Sequence, residues 1–448
     1  MSSRHTTPLL KLAAPMVLSS SGITILQLID AFVLSRHSSE AIAAIGPAGM
    51  AVILVQGLMY GTASYCGTFV AHSHGRGDAA GVRRSVWMGV HASLLSGLLA
   101  LLIAWPLALA FLHLGHAPLV AAGEHDYFLI CMMGAMFPVF GGAMASWLSG
   151  IGRPALVTWV SFATIALNAV LAWGLVLGEC GLPRLGMAGA ALATVAAQAV
   201  AALLYALLFV RAGGLAGSAP WRMPAGEFSR FLKLALPMGL RISTELACWT
   251  LFLIAVGRLG TEELAASSIA FRINGMAFFP AIGLGQAAGV LVGQARGAGR
   301  DEDVPVITRQ ALVLCFSWMI AMALLYVLAG GQLMRAFAGD TAESARIVDI
   351  GIVVMRFVAV YCLFDALNVI LGFCLAAAGD TRWIARTFLL CSTAFLALLW
   401  TVALTAPHLA AEWILATGFI FTTALLWARR FRSGAWRSMR LLKGSAAG

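Results

Sequence analysis

Charge is what this sequence has least of. Only 11% of its 448 residues are Asp, Glu, Lys or Arg, and 61% are hydrophobic. A soluble domain carries about 25% charged residues, so a water-soluble globular chain is excluded. Short segments of alternating polarity are missing too, which excludes a membrane strand barrel. No Walker A loop is present, and ATP coupling within the chain is therefore not expected. The eight cysteines stand singly, at 66, 131, 180, 248, 315, 362, 374 and 391, with no CxxC. Most lie in apolar runs and read as packing residues, not as a disulfide framework or metal site. No Ser-His-Asp or His-rich set stands at one depth, which leaves an intramembrane enzyme as the outermost alternative. His72, His74 and Asp78 cluster after the second apolar run. They read as a solvated loop, and no cofactor is called for.

Long apolar runs are what is present. A membrane-spanning helix needs about 20 mostly apolar residues. Twelve such runs can be placed, from 9–34 and 41–71 through to 383–405 and 409–428. The first is too long for a signal-peptide core, contains Asp30, and is expected to be a retained helix. The fold class is therefore an all-α integral membrane protein with twelve transmembrane helices. Loops are short, except the Gly/Pro-bearing 212–227 between the sixth and seventh runs. That segment divides an N-terminal lobe, 1–211, from a C-terminal lobe, 228–428, with a basic tail at 429–448.

The net charge of +10 might suggest nucleic acid in a soluble protein, but here it sits in short loops. Both termini and the even-numbered loops hold 21 of the 29 Lys and Arg, and the odd-numbered loops hold five. The positive-inside rule then puts both termini in the cytoplasm. The chain is expected in a bacterial-type inner membrane, with the bilayer as its partner and no nucleic acid. Trp221, Trp383 and Trp436 fall near expected interfaces and read as belt anchors.

The chain repeats itself. Leu232–Met238 (LKLALPM) echoes Leu10–Met16 (LKLAAPM). At a constant offset of 222, Pro15 meets Pro237, Arg36 meets Arg258, Gly61 meets Gly283, Gly67 meets Gly289 and Gly77 meets Gly299. At offset 227, Gly152 meets Gly379. Each repeat has an even number of spans, so the two are parallel. Parallel repeats with a midplane site between them are a transporter architecture.

Ionisable groups at bilayer depth are functional-site candidates by default. Three acids in the runs are taken as candidates: Asp30 in the first, Glu245 in the seventh and Asp365 in the tenth. Tyr361, Asp365, Asn368 and Gly372 share one helix face. Gln27 accompanies Asp30, Trp249 follows Glu245 by a turn, and Asn168 adds an amide in the fifth run. Carboxylates among amide and carbonyl oxygens suit a proton or a hard cation such as Na⁺. Glu245 and Asp365 are the candidate Na⁺ ligands. Each acid could equally be half of a structural ion pair. Arg241 is at i, i+4 from Glu245, within helical reach.

The sequence resembles the multidrug and toxic compound extrusion (MATE) family, in its NorM-type branch. The resemblance rests on Gly152-Arg153-Pro154, Gly181–Ala191 (GLPRLGMAGAA), Leu259-Gly260-Thr261, Ile269-Ala270-Phe271-Arg272, Val292-Gly293-Gln294 and Gly379-Asp380-Thr381, in that order. It implies two six-helix lobes around a central cleft. It also implies export of organic, often cationic and aromatic, compounds in exchange for Na⁺ or H⁺. Glu245, eight residues after Pro237, and Asp365, in Phe364-Asp365, resemble the branch's coupling pair. Asp30 and Asn168 resemble residues tied to proton coupling elsewhere in the family. Arg241 departs from that pattern, since a guanidinium facing the cleft would repel a bound Na⁺. The expectation is a monomeric antiporter for a small organic substrate. With Arg241 and Arg272 in view, a lipid-linked or metabolite cargo is the alternative.

Overall fold

The computed structural model describes residues 3–179, 181–217, 221–338, 342–439 and 441, and it is helical throughout. In lipid an apolar run can satisfy its backbone only within itself, and a helix does so. In chain order the helices are α1 (Ser3–Ser35), α2 (Ser39–Ser64), α3 (Cys66–Gly75), α4 (Ala79–Phe111), α5 (Pro118–Met133), α6 (Met136–Gly150) and α7 (Pro154–Leu177). There follow α8 (Gly186–Arg211), α9 (Ala225–Gly257), α10 (Thr261–Gly297), α11 (Asp303–Ala338), α12 (Ala342–Ala377), α13 (Thr381–Thr405) and α14 (Leu409–Arg432), then a short 3₁₀ turn at Ala435–Ser438.

The expected second run is divided at Tyr65 into α2 and α3, and the fourth is divided into α5 and α6. Among the described residues ten helical spans are long and apolar enough to cross a membrane, with α2 and α3 counted together. The pair α5–α6, bent by 49°, would be an eleventh. The count falls short of the twelve expected. α1, with 33 residues, lies on the first expected run, but several of its side chains, Gln27 among them, lie outside the described residues.

Turn chemistry follows the internal offsets. Gly77 and Gly299 both take positive φ, 74° and 73°, where their helices reverse. Gly152 and Gly379 do the same at 79° and 97°. Only glycine enters that region without steric cost. Asp78 then caps α4, its Oδ1 accepting from the Gly81 N–H at 2.8 Å.

The helices fall into two compact units, one of residues Leu18–Ser243 and one of Met1–Val17 with Thr244–Gly448. Within the first, α2 and α9 approach backbone to backbone. A Cβ on Gly61 would lie 2.8 Å from the Gly239 Cα, and one on Gly239 would overlap the Leu58 carbonyl oxygen. Within the second, a Cβ on Gly283 of α10 would lie 2.6 Å from the Val17 nitrogen of α1. The two contacts are related by the offset of 222. Small residues permit such approach where lipid offers no hydrophobic drive. Gly239→Ala is accordingly expected to destabilise the protein by about 1–3 kcal/mol, measured as a lowered melting temperature in detergent. Gly46→Ala, with nothing within 4 Å of the added methyl, is the neutral control.

One end of the second unit is held by arginines. Arg296, at the end of α10, spends all five of its N–H donors. Nε donates to Asp301 Oδ1 at 3.2 Å, Nη1 to the carbonyls of Ala378 and Trp436 at 2.9 and 2.7 Å, and Nη2 to those of Arg437 and Met439 at 3.1 and 3.0 Å. Its guanidinium also lies 5.4 Å from the Trp436 ring centroid. Arg430 grips Asp380 with two bonds, 2.7 and 3.2 Å, and lies over Trp383. Trp436 is 1% exposed. It is a plug beneath Arg296, not the belt anchor its position suggested.

Candidate functional site

Glu245 sits on α9 one turn before Trp249 and is half-buried. Asp365, on α12, is 7% exposed. Both belong to the Thr244–Gly448 unit, and their carboxyls are close enough to interact electrostatically. The stripe expected on α12 is in place, with Tyr361 and Asn368 buried beside Asp365. Asn368 donates Nδ2 to the Ile420 carbonyl of α14 at 3.0 Å. Among the described residues its Oδ1 has no hydrogen-bond partner.

Aromatic rings wall this pair. Trp249 lies against Tyr361, centroids 6.5 Å apart at 29°, and Tyr361 stacks on Trp413 at 6.3 Å and 13°. Trp249 also meets Phe271 and Phe419, and Phe252 meets Trp413 edge to face. Rings at such a site lower its polarity, and low polarity strengthens electrostatic interactions beside them. Phe252 stands 222 residues after Asp30. Where the Leu18–Ser243 unit has a carboxylate, the other has a packed ring.

Asp30 is 8% exposed in the Leu18–Ser243 unit, and its Oδ1 has no hydrogen-bond partner among the described residues. It lies within electrostatic reach of Tyr127 and Cys131 of α5. Asn168, fully buried on α7, donates Nδ2 to Thr194 Oγ1 of α8 at 3.2 Å, while its Oδ1 has no partner among the described residues. Ser19 and Thr158, hydroxyls 2.9 Å apart, show that α1 packs on α7. Arg241 lies in this unit and Glu245 in the other, one turn along the same helix.

Three features were missed from sequence. Tyr127 and Thr194 join Asp30 and Asn168 only through helix packing, and no local pattern marks them. Glu124, fully buried on α5, is held by His116 Nδ1 at 2.8 Å. Glu412 is a further buried acid, in the first turn of α14. It lies near the start of the run 409–428, where an acid complements the helix dipole, and it was not among the candidate acids. Among the described residues no group of three or more His, Cys, Asp or Glu could hold a metal.

Long apolar helices that bury carboxylates beside amides and rings define a multi-pass α-helical membrane transport protein. The chain belongs to the MatE family, whose profile matches residues 15–173 and 237–401, and it is related to the NorM-type branch. It is 30% identical over 390 residues to the probable multidrug resistance protein NorM of Burkholderia mallei, covering 85% of this chain and 82% of that protein. The multidrug resistance protein NorM of Burkholderia vietnamiensis is 29% identical over 398 residues, covering 86% and 85%. The fold matches an outward-facing multidrug resistance MATE family transporter of the MOP superfamily, with a TM-score of 0.85, 20% identity and 97% of each chain covered. It also matches a MOP superfamily transporter from Pyrococcus furiosus, described as having a binding pocket of reversed polarity, with a TM-score of 0.83, 21% identity and 97% coverage of each.

Proposed function

We propose that this chain is a cation-coupled antiporter that exports organic, cationic and aromatic compounds by alternating access. The observation that carries the reading is the Glu245–Asp365 pair inside an aromatic wall. Two carboxylates that share a low-polarity site repel each other unless a cation or proton lies between them. Their occupation by an ion and their occupation by a cationic substrate therefore compete. An ion arriving from outside displaces the substrate outward, and its release inside resets the site. Asp30, with Asn168 and Gln27, serves as a second proton-linked group, and Tyr361 and Asn368 orient Asp365. The kinship with multidrug resistance proteins supports the cargo class.

The organisation goes with this function: twelve spans in two parallel six-helix lobes, 1–211 and 228–428, around a central cleft. The chain acts as a monomer, with 212–227 as linker and 429–448 as tail, and both termini on the cytoplasmic side of an inner membrane. Efflux of a fluorescent organic cation from proteoliposomes, under a Na⁺ gradient and a pH gradient imposed separately, tests the coupling. One gradient is expected to accelerate efflux several-fold, and a response to neither would refute antiport.

A further inference from the structure

Glu412 is the acid this coupling scheme leaves unused. It stands one residue before Trp413 with 0% of its surface exposed, and neither carboxylate oxygen has a hydrogen-bond partner among the described residues. A charge buried without partners is costly enough that proteins neutralise it or bring it a counterion. The surroundings are firmly built. Trp413 donates Nε1 to the Ser267 hydroxyl of α10 at 3.3 Å and stacks on Tyr361, one turn before Asp365. Eight residues beyond Glu412, the Ile420 carbonyl receives the Asn368 amide. At 1.5 Å per residue, Glu412 lies about 12 Å along α14 from that contact.

We propose that Glu412 is a proton-binding site of the Thr244–Gly448 unit, distinct from Glu245 and Asp365, which takes up one proton from the outer side and releases it again in each transport cycle. The inference rests on the antiport reading and on the orientation adopted with it. A proton fits better than an alkali ion. A hard cation needs several oxygens converging at one place, whereas Glu412 brings two carboxylate oxygens with no hydrogen-bond partner among the described residues. The step is an acid–base exchange: the carboxylate gains a proton from water and becomes neutral, then returns it and becomes charged. Among the described residues no cationic side chain hydrogen-bonds to Glu412. On the elements packed against α14, α12 offers Tyr361 and Asp365, with its Asp349 and Arg356 exposed and its Arg346 paired to Glu262 of α10. α10 adds Glu263 and the exposed Arg272, α9 adds Glu245 with Arg258 just beyond it over Trp400, and the exposed His408 precedes α14. α13 carries charge only at Arg382 and Arg386, in its first two turns, at the end away from Leu409. The 3₁₀ turn lies at the opposite end of α14.

Dicyclohexylcarbodiimide, which couples to protonated carboxyls in apolar surroundings, is the probe. The full-length protein in liposomes is treated from acid to alkaline pH and mapped by peptide mass spectrometry. The Glu412 peptide is expected to be modified at acid pH, decreasingly as pH rises. In Glu412→Gln that modification disappears. The variant's efflux loses most of its dependence on external pH, and substrate–substrate exchange without an ion gradient continues at the parental rate. An unmodified Glu412 in a sample where Asp365 is modified overturns the proposal. So does modification that ignores pH, or a variant whose pH profile superimposes on that of the parent. If Glu412→Gln does not fold, labelling of the unsubstituted protein decides alone. Efflux that responds to neither ion gradient would defeat the antiport reading separately, and the labelling would still decide whether Glu412 exchanges a proton.

Discussion

Asp365→Asn is expected to abolish ion-driven efflux while leaving the protein as stable as its parent, or more so. The amide keeps the size and hydrogen-bonding shape of the carboxyl but can neither take up a proton nor balance a cation. Asp365 is nearly inaccessible beside Tyr361 and Asn368, so replacing it removes a charge that is costly to bury. Transport and stability should therefore move independently. Efflux under the effective gradient should fall by more than about tenfold, equivalent to at least 1.4 kcal/mol. The melting temperature in detergent should hold or rise. Glu245→Gln, on the facing helix, should behave the same way with a smaller gain in stability, because Glu245 is only half-buried. Parental transport rates in both variants would remove the pair from the coupling scheme.

Arg296→Ala should produce the opposite pattern, a large loss of stability that brings transport down with it. The guanidinium satisfies four backbone carbonyls and Asp301, and it supports the Trp436 ring. Each buried acceptor left without a donor costs about 1–3 kcal/mol. Part of the site relaxes into water, so a net loss of about 3–5 kcal/mol is expected. The check is a lowered melting temperature in detergent, with efflux from proteoliposomes falling alongside it. Arg296→Lys should recover little, since an ammonium has three donors on one atom and cannot reach five acceptors spread across a planar fork.

Much of this was legible in the sequence, for identifiable reasons. Hydropathy located the helices because a run of about 20 apolar residues has no other stable form in lipid. Gly77, Gly299, Gly152 and Gly379, which marked the internal repeat, stand where helices reverse, since positive φ is tolerated by little else. The stripe Tyr361–Asp365–Asn368 followed from helical spacing, which is a local property. The breaks at Tyr65 and between Met133 and Met136 carried no comparable signal, since every residue there is as apolar as its neighbours. Arg296 counted only as a positive charge in a loop, because its acceptors are backbone atoms up to 143 residues away, and a carbonyl has no sequence signature. Trp436 was misjudged, and Glu412 passed over, for a related reason. Each stands near a helix end, where position suggests contact with water or headgroups, and only the packing of distant helices shows otherwise.

The contact between Val17 and Gly283 bears on how the protein is made. α1 leaves the ribosome ahead of the other helices described here, yet its opening turns belong with a unit that starts again only at Thr244. The Leu18–Ser243 unit likewise waits for the first half of α9. A nascent chain halted after α8 would have completed neither. α1 can endure the delay because its main chain is satisfied internally, and its partner glycine arrives some 266 residues later. Assembly is thus postponed until well into the second half of translation. Expressing the two halves as separate polypeptides, cut anywhere in 212–217, would leave each fragment short of a strip of its own structure that only the other can supply.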